Sequence, residues 1–164
     1  APQKPTKEYI LVDGYNIIFS WDELNKIAAD NLEAARHRLI EMMINYRSVH
    51  KCSMIIVFDA YRVKGNPGSE EKIDDLYIVY TKEAETADSY IERTAHDLSR
   101  DYRVRVATSD RLEQIIILGG GAYRMSATEF YEEICNAQRE IDDFITNINL
   151  KSAHINIGIA EKKH

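Results

Sequence analysis

The feature that most constrains this chain is a set of short apolar runs, each ended by a carboxylate or hydroxyl. Tyr9-Ile10-Leu11-Val12 runs into Asp13-Gly14, Met54-Ile55-Ile56-Val57-Phe58 into Asp59, and Val104-Arg105-Val106-Ala107 into Thr108-Ser109-Asp110. Leu76 to Tyr80 is a further run, and Tyr123 to Met125 a short fifth. Branched apolar runs of this length suit strands that are covered on both faces. The intervening segments repeat at helical spacing. Leu32, Ala35, Leu39, Met42, Met43, Tyr46 and Val49 share one face of a helix over 31–51. Thr86 stands where a helix would be capped, and Ala87, Ile91, Thr94, Ala95 and Leu98 form that helix's face. Another helix follows Asp110 through Leu118 and stops at Gly119-Gly120-Gly121. A long one runs from about Thr128 to Asn149 with Phe130, Ile134, Ile141, Ile145 and Ile148 inward. Strands alternating with helices define an α/β fold with a mostly parallel sheet of about four or five strands.

The 164 residues amount to one domain. Residues 1–7 are Pro- and Lys-rich and read as a linker, residues 8–150 as the folded domain, and 151–164 as a tail. The Met-less start suits a domain cut from a longer protein, and removal of an initiator Met reads the same way. The tail alternates apolar and polar residues from His154 to Ile159, which leaves an edge strand and a loose end both open. Residues 61–75, with Gly65, Pro67 and Gly68, read as the longest loop. Trp21 lies in FSWDELNK, a segment that either covers the site or packs, with packing favoured.

Several classes are excluded. No run of 18 apolar residues exists to span a membrane. Cys52 and Cys135 match no C-x-x-C spacing, which excludes a zinc ribbon or disulfide scaffold and fits the reducing cytoplasm. The histidines show no H-x-x-x-H pair. No G-x-G-x-x-G follows the first strand, and no P-loop or G-x-S-x-G elbow occurs. The net charge of -6, from 21 basic and 27 acidic residues, argues against a generic nucleic-acid coat. It remains compatible with an enzyme that gathers carboxylates around cations and touches RNA through a small basic rim.

In open parallel sheets the ligand crevice lies at the carboxyl ends of the strands. Those ends carry Asp13, Asp59 and Asp110, and Asp88 joins them at a helix start. Crowded carboxylates repel and raise one another's pKa unless a cation intervenes, and an all-oxygen set suits Mg²⁺ or Mn²⁺. Such an ion polarises a phosphate and makes water a better nucleophile. Each aspartate also has a plain structural reading. Asp13 and Asp59 suit turns, Asp88 suits a first helical turn, and Asp110 with Glu113 matches a capping box. Their joint placement at one sheet edge favours chemistry. Arg62, Lys64, Lys82 and Arg111 flank that rim as phosphate contacts or as solvated loop charges.

Four motifs, VDGYNII, VFDAYRVKG, YTKEAETAD and VATSD, occur in order from about residue 8 to residue 145. In these the chain resembles the YacP family of NYN domains, within the PIN-like nuclease superfamily. The resemblance implies a PIN-like three-layer α/β/α sandwich and a metal-dependent endoribonuclease using one or two Mg²⁺ or Mn²⁺ ions. It implies single-stranded mRNA as substrate, the ribosome as partner, and in related proteins a fused translation-factor-like GTPase. By motif match, Asp13, Asn16, Asp59, Asp88 and Asp110 take the catalytic positions. Asp13, Asp88 and Asp110 would be metal ligands. Asn16 would orient a ligand or hold a phosphate oxygen, and Asp59 would orient water on the metal. The competing reading is a non-catalytic module that keeps the fold and docks on RNA or a ribosome. A phospho-acceptor receiver shares the alternation but needs an acidic pair at the end of the first strand, where this chain has Val12-Asp13-Gly14.

Overall fold

Side chains alternate across a strand, so each buried strand here feeds two separate apolar cores. A computed structural model describes residues 7–60, 68–109 and 121–162, with side chains as far as His154. In chain order the elements are β1 (Glu8–Asp13), α1 (Gly14–Ser20), α2 (Asp22–Asp30), α3 (Leu32–Val49), β2 (Ser53–Phe58), β3 (Glu70–Ile73), β4 (Leu76–Tyr80), α4 (Ala87–Leu98), β5 (Arg103–Ala107), β6 (Tyr123–Met125) and α5 (Ala127–Lys162). The described strands form one six-stranded sheet in the order β3-β4-β2-β1-β5-β6. All pairings are parallel except β3 with β4.

Ile10, Val12, Ile56 and Phe58 face one side, where they pack with Leu39 and Met43 of α3 and Phe130 of α5. Leu11, Val57 and Val106 face the other, where Ile91 and Ala95 of α4 cover them. These are the three layers, helices on both faces of a mostly parallel sheet. Asp13 follows Leu11 by two residues, so the strand period assigns it to the α4 side. Arg105 breaks the apolar run of β5 because it is neutralised on the spot. It donates to Glu133 at 2.8 Å and to Glu8 at 2.9 Å.

Several expectations need correction. The sheet has six strands among the described residues, because Glu70–Ile73, read as loop, pairs antiparallel with β4. Its EEKI sequence is exposed throughout and carries no apolar signature; it exists because β4 offers it a ladder. Asp74 closes the hairpin with a φ of 52°, a conformation that aspartate tolerates. Gly14 begins α1 directly, where a turn was expected, and α1 and α2 fill a stretch read without helices. Residues expected as an edge strand or loose end instead continue α5 to Lys162. Phe130 and Ile134 are buried as expected, but Ile145 and Ile148 are exposed, since α5 outruns the body of the domain. Trp21 packs: its Nε1 donates to the Ala127 carbonyl at 2.9 Å. The helix expected after Asp110 lies outside the described residues.

Candidate active site

The carboxyl ends of the strands are held together by short polar links. Asp13 is the last residue of β1, aligned with Val57 of β2. It occupies the residue before α1, yet its side chain makes no capping bond there. It is only 7% exposed, which is deep for a carboxylate. Gly14 lets α1 start flush against β2. A Cβ at this position would lie 2.4 Å from Phe58 Cε1 and 3.0 Å from the Val57 carbonyl oxygen. The glycine therefore sets how closely the first helix, and Asn16 on it, approaches the sheet.

Asn16 spans to the far side of β1. Its Oδ1 accepts from the Ser109 N–H at 2.7 Å and from the Ser109 hydroxyl at 2.9 Å. Ser20, one turn on, donates to the Asn16 carbonyl at 2.7 Å and lies 3.4 Å from the Ser109 hydroxyl. On the other flank, Asp59 follows β2 and its Oδ2 accepts from the N–H of Ala87, the first residue of α4, at 3.4 Å. Thr81 Oγ1 accepts from the Ala60 N–H at 3.0 Å and so ties the end of β2 to that of β4. Asp88 is exposed in the first turn of α4. Thr86 does the capping, accepting from the Ser89 N–H at 3.1 Å, so Asp88 is not needed as the cap. Asp13, Asp59 and Asp88 are each engaged in further interactions with the fold.

Asp13, Asn16, Asp59 and Asp88 thus lie at the carboxyl ends of β1, β2 and β4 or on the helices that leave them. Lys82 is exposed in the connection from β4 to α4, six residues before Asp88. Asp110, Arg62, Lys64 and Arg111 lie outside the described residues. Among the described residues, no three His, Cys, Asp or Glu side chains are grouped to hold a metal ion, and the third member of the expected set is Asp110. Ser20 and Ser109 are partners of Asn16 that the motifs do not single out. The only signal for Ser109 was its place beside Asp110 in VATSD. No described helix is long and apolar enough to cross a membrane.

The chain matches the family described as YacP-like NYN domain over residues 10–163. It is 37% identical over 156 residues to the protein YacP of Bacillus subtilis (strain 168), covering 94% of this chain and 91% of that one. A crystal structure of Rae1 (YacP) from Bacillus subtilis superposes with a TM-score of 0.77 at 37% identity, covering 94% of this chain and 88% of that one. A crystal structure of a point mutant of the same protein gives 0.74, covering 86% and 82%.

Proposed function

This chain belongs to the YacP-like NYN domain family, and on that premise we propose that it is a metal-dependent endoribonuclease that cuts single-stranded mRNA in association with the ribosome. The observation that supports the reading is the placement of three carboxylates at the carboxyl end of the sheet: Asp13 ends β1, Asp59 follows β2 and is bonded to the start of α4, and Asp88 lies in that helix's first turn. These three side chains offer carboxylate oxygens, and hard divalent cations prefer oxygen ligands. A carboxylate as deep as Asp13 keeps its charge at lower cost beside a cation.

Asp13, Asp88 and Asp110 would hold Mg²⁺ or Mn²⁺, which when bound offsets phosphate charge and activates water toward phosphorus. The chain's own residues supply position. Asn16, fixed by Ser109, keeps the β1 and β5 ends at a set separation. Asp59 orients water in the site from its anchor on α4. Lys82, with Arg62, Lys64 and Arg111, contacts phosphates along the strand. Replacing Lys82 by Gln should weaken RNA binding and lower the slope of log affinity against log salt by about one.

The test is incubation with free single-stranded RNA and with translating ribosomes, in Mn²⁺ or in EDTA. Cleavage in Mn²⁺ that EDTA abolishes, strongest on ribosome-bound message, is the expected result. Cleavage of neither substrate under any condition would point to the docking module instead.

A further inference from the structure

A second feature adjoins this edge. Ser20, Trp21, Asp22, Glu23, Thr128 and Tyr131 line a groove of about 220 Å³ between the α1–α2 junction and the first turn of α5. Ser20 belongs to both places, since its hydroxyl also meets Asn16 and Ser109. A strand lying over the Asn16–Ser109 link therefore reaches the groove next.

The walls are aromatic and fixed. Trp21 is buried, held by its bond to the Ala127 carbonyl, with Phe130 at 5.6 Å behind it. Tyr131 meets Trp21 edge-on at 5.2 Å and remains 38% exposed, so part of its ring is open to a ligand. The charged groups lining the groove are the carboxylates of Asp22 and Glu23, beside the hydroxyls of Ser20 and Thr128. Glu23 is oriented by Arg38, whose Nε donates to it at 3.0 Å, and Asp22 is exposed beside it. The Asp22 carboxylate repels a phosphate but accepts hydrogen bonds from N–H groups, while the Glu23 charge is offset by Arg38. The groove thus suits the base of a nucleotide and not its backbone. Its volume fits one base, and exposed aromatic rings are what proteins use to stack unpaired RNA bases.

We propose that this groove is a nucleobase subsite for the RNA strand, selective for guanine over uracil. The proposal rests on the ribonuclease reading for the identity of its ligand. Guanine offers adjacent N1–H and N2–H donors that a carboxylate accepts together. Uracil offers a single N–H flanked by two carbonyls that face the carboxylates unfavourably. Tyr131 supplies the stacking surface and Asp22 the acceptor.

The chain has one tryptophan, and it forms a wall of the groove, so its fluorescence reports occupancy directly. Pentauridine and the same oligomer with a central guanosine are titrated in EDTA, where metal-dependent cleavage is off. The guanosine oligomer should quench Trp21 with about tenfold lower Kd. Tyr131→Leu should abolish the quenching difference, and Asp22→Asn, on the surface, should remove the preference while leaving some binding. Equal quenching by both oligomers, no quenching by either, or an undiminished preference in Asp22→Asn would overturn the proposal. Cleavage in Mn²⁺ is scored separately with the wild-type chain. Guanine-selective quenching without any cleavage contradicts the nuclease reading alone. Cleavage without selective quenching contradicts the subsite alone.

Discussion

The side-chain oxygen of Asn16 accepts two hydrogen bonds from Ser109, one from its N–H at 2.7 Å and one from its hydroxyl at 2.9 Å, across 93 residues of sequence. The first turn of α1 is thereby bolted to the end of β5. Asn16→Ala should cost about 1 kcal/mol, the net worth of such bonds at a partly exposed site. Thermal melts should show a loss of roughly 2–4 °C. Asn16→Asp keeps an oxygen that can accept both bonds and should retain most of the melting temperature. Equal losses in the two variants would mean that the bonds to Ser109 contribute little.

Gly14 is required by Phe58. Gly14→Ala places a methyl 2.4 Å from a ring with no exposed surface, so the ring or the helix must shift. Overpacking of this kind costs about 1–3 kcal/mol, and better helix propensity returns up to about 1. Urea denaturation should show net destabilisation. In a double-mutant cycle with Phe58→Leu, the pair should be less damaging than the sum by at least ~0.5 kcal/mol. Additive effects would refute the steric account.

Arg105 joins β5 to β1 and α5 through Glu8 and Glu133. Arg105→Met leaves these two carboxylates facing each other with less compensation. Because the group is only partly buried, the expected loss is about 2 kcal/mol, below that of a fully buried pair. Adding Glu8→Gln and Glu133→Gln should recover much of it in urea titrations. No recovery would show that Arg105 acts through its packed stem instead.

Burial, with the charge of Glu8 adding to it, pushes the Cys52 thiol up to about 12. Its unfolded value is about 8.5, so the neutral thiol is favoured by folding. That contribution is complete below pH ~8.5 and is lost as pH rises toward the folded value. Stability in urea should therefore decline above pH ~8.5, and Cys52→Val should flatten part of the decline. In the native protein near neutral pH, iodoacetamide should label Cys135 well before Cys52. Labelling of both at one rate would contradict the burial argument.

Much of the layered fold was legible because continuous apolar runs such as Met54–Phe58 have few other uses than a covered strand. Asp13 and Asp59 could be placed at strand ends for the same reason. Most of what escaped depended on tertiary partners. β3 is polar and exists through its pairing with β4. α1 is a seven-residue helix without a side-chain cap, whereas α2 carries Asp22 and Glu23 in its first turn, a start signal that was legible but passed over. Ile145 and Ile148 continue the apolar stripe of α5 beyond the domain body, and periodicity does not say where the body ends. Asn16 was found by motif, but its bond to Ser109 joins residues that only the sheet brings together.

The most direct measurement of the central claim is cleavage of single-stranded RNA in Mn²⁺ by the wild-type chain, Asp13→Asn and Asp88→Asn, alongside their melting temperatures. Both substitutions keep shape and remove one ligand charge. Cleavage should fall by at least ~100-fold in each, the scale of losing charge stabilisation in the transition state. Melting temperatures without metal should hold or rise as carboxylate repulsion is relieved. Near-wild-type cleavage by both variants would contradict the assignment of this sheet edge as the metal-dependent centre.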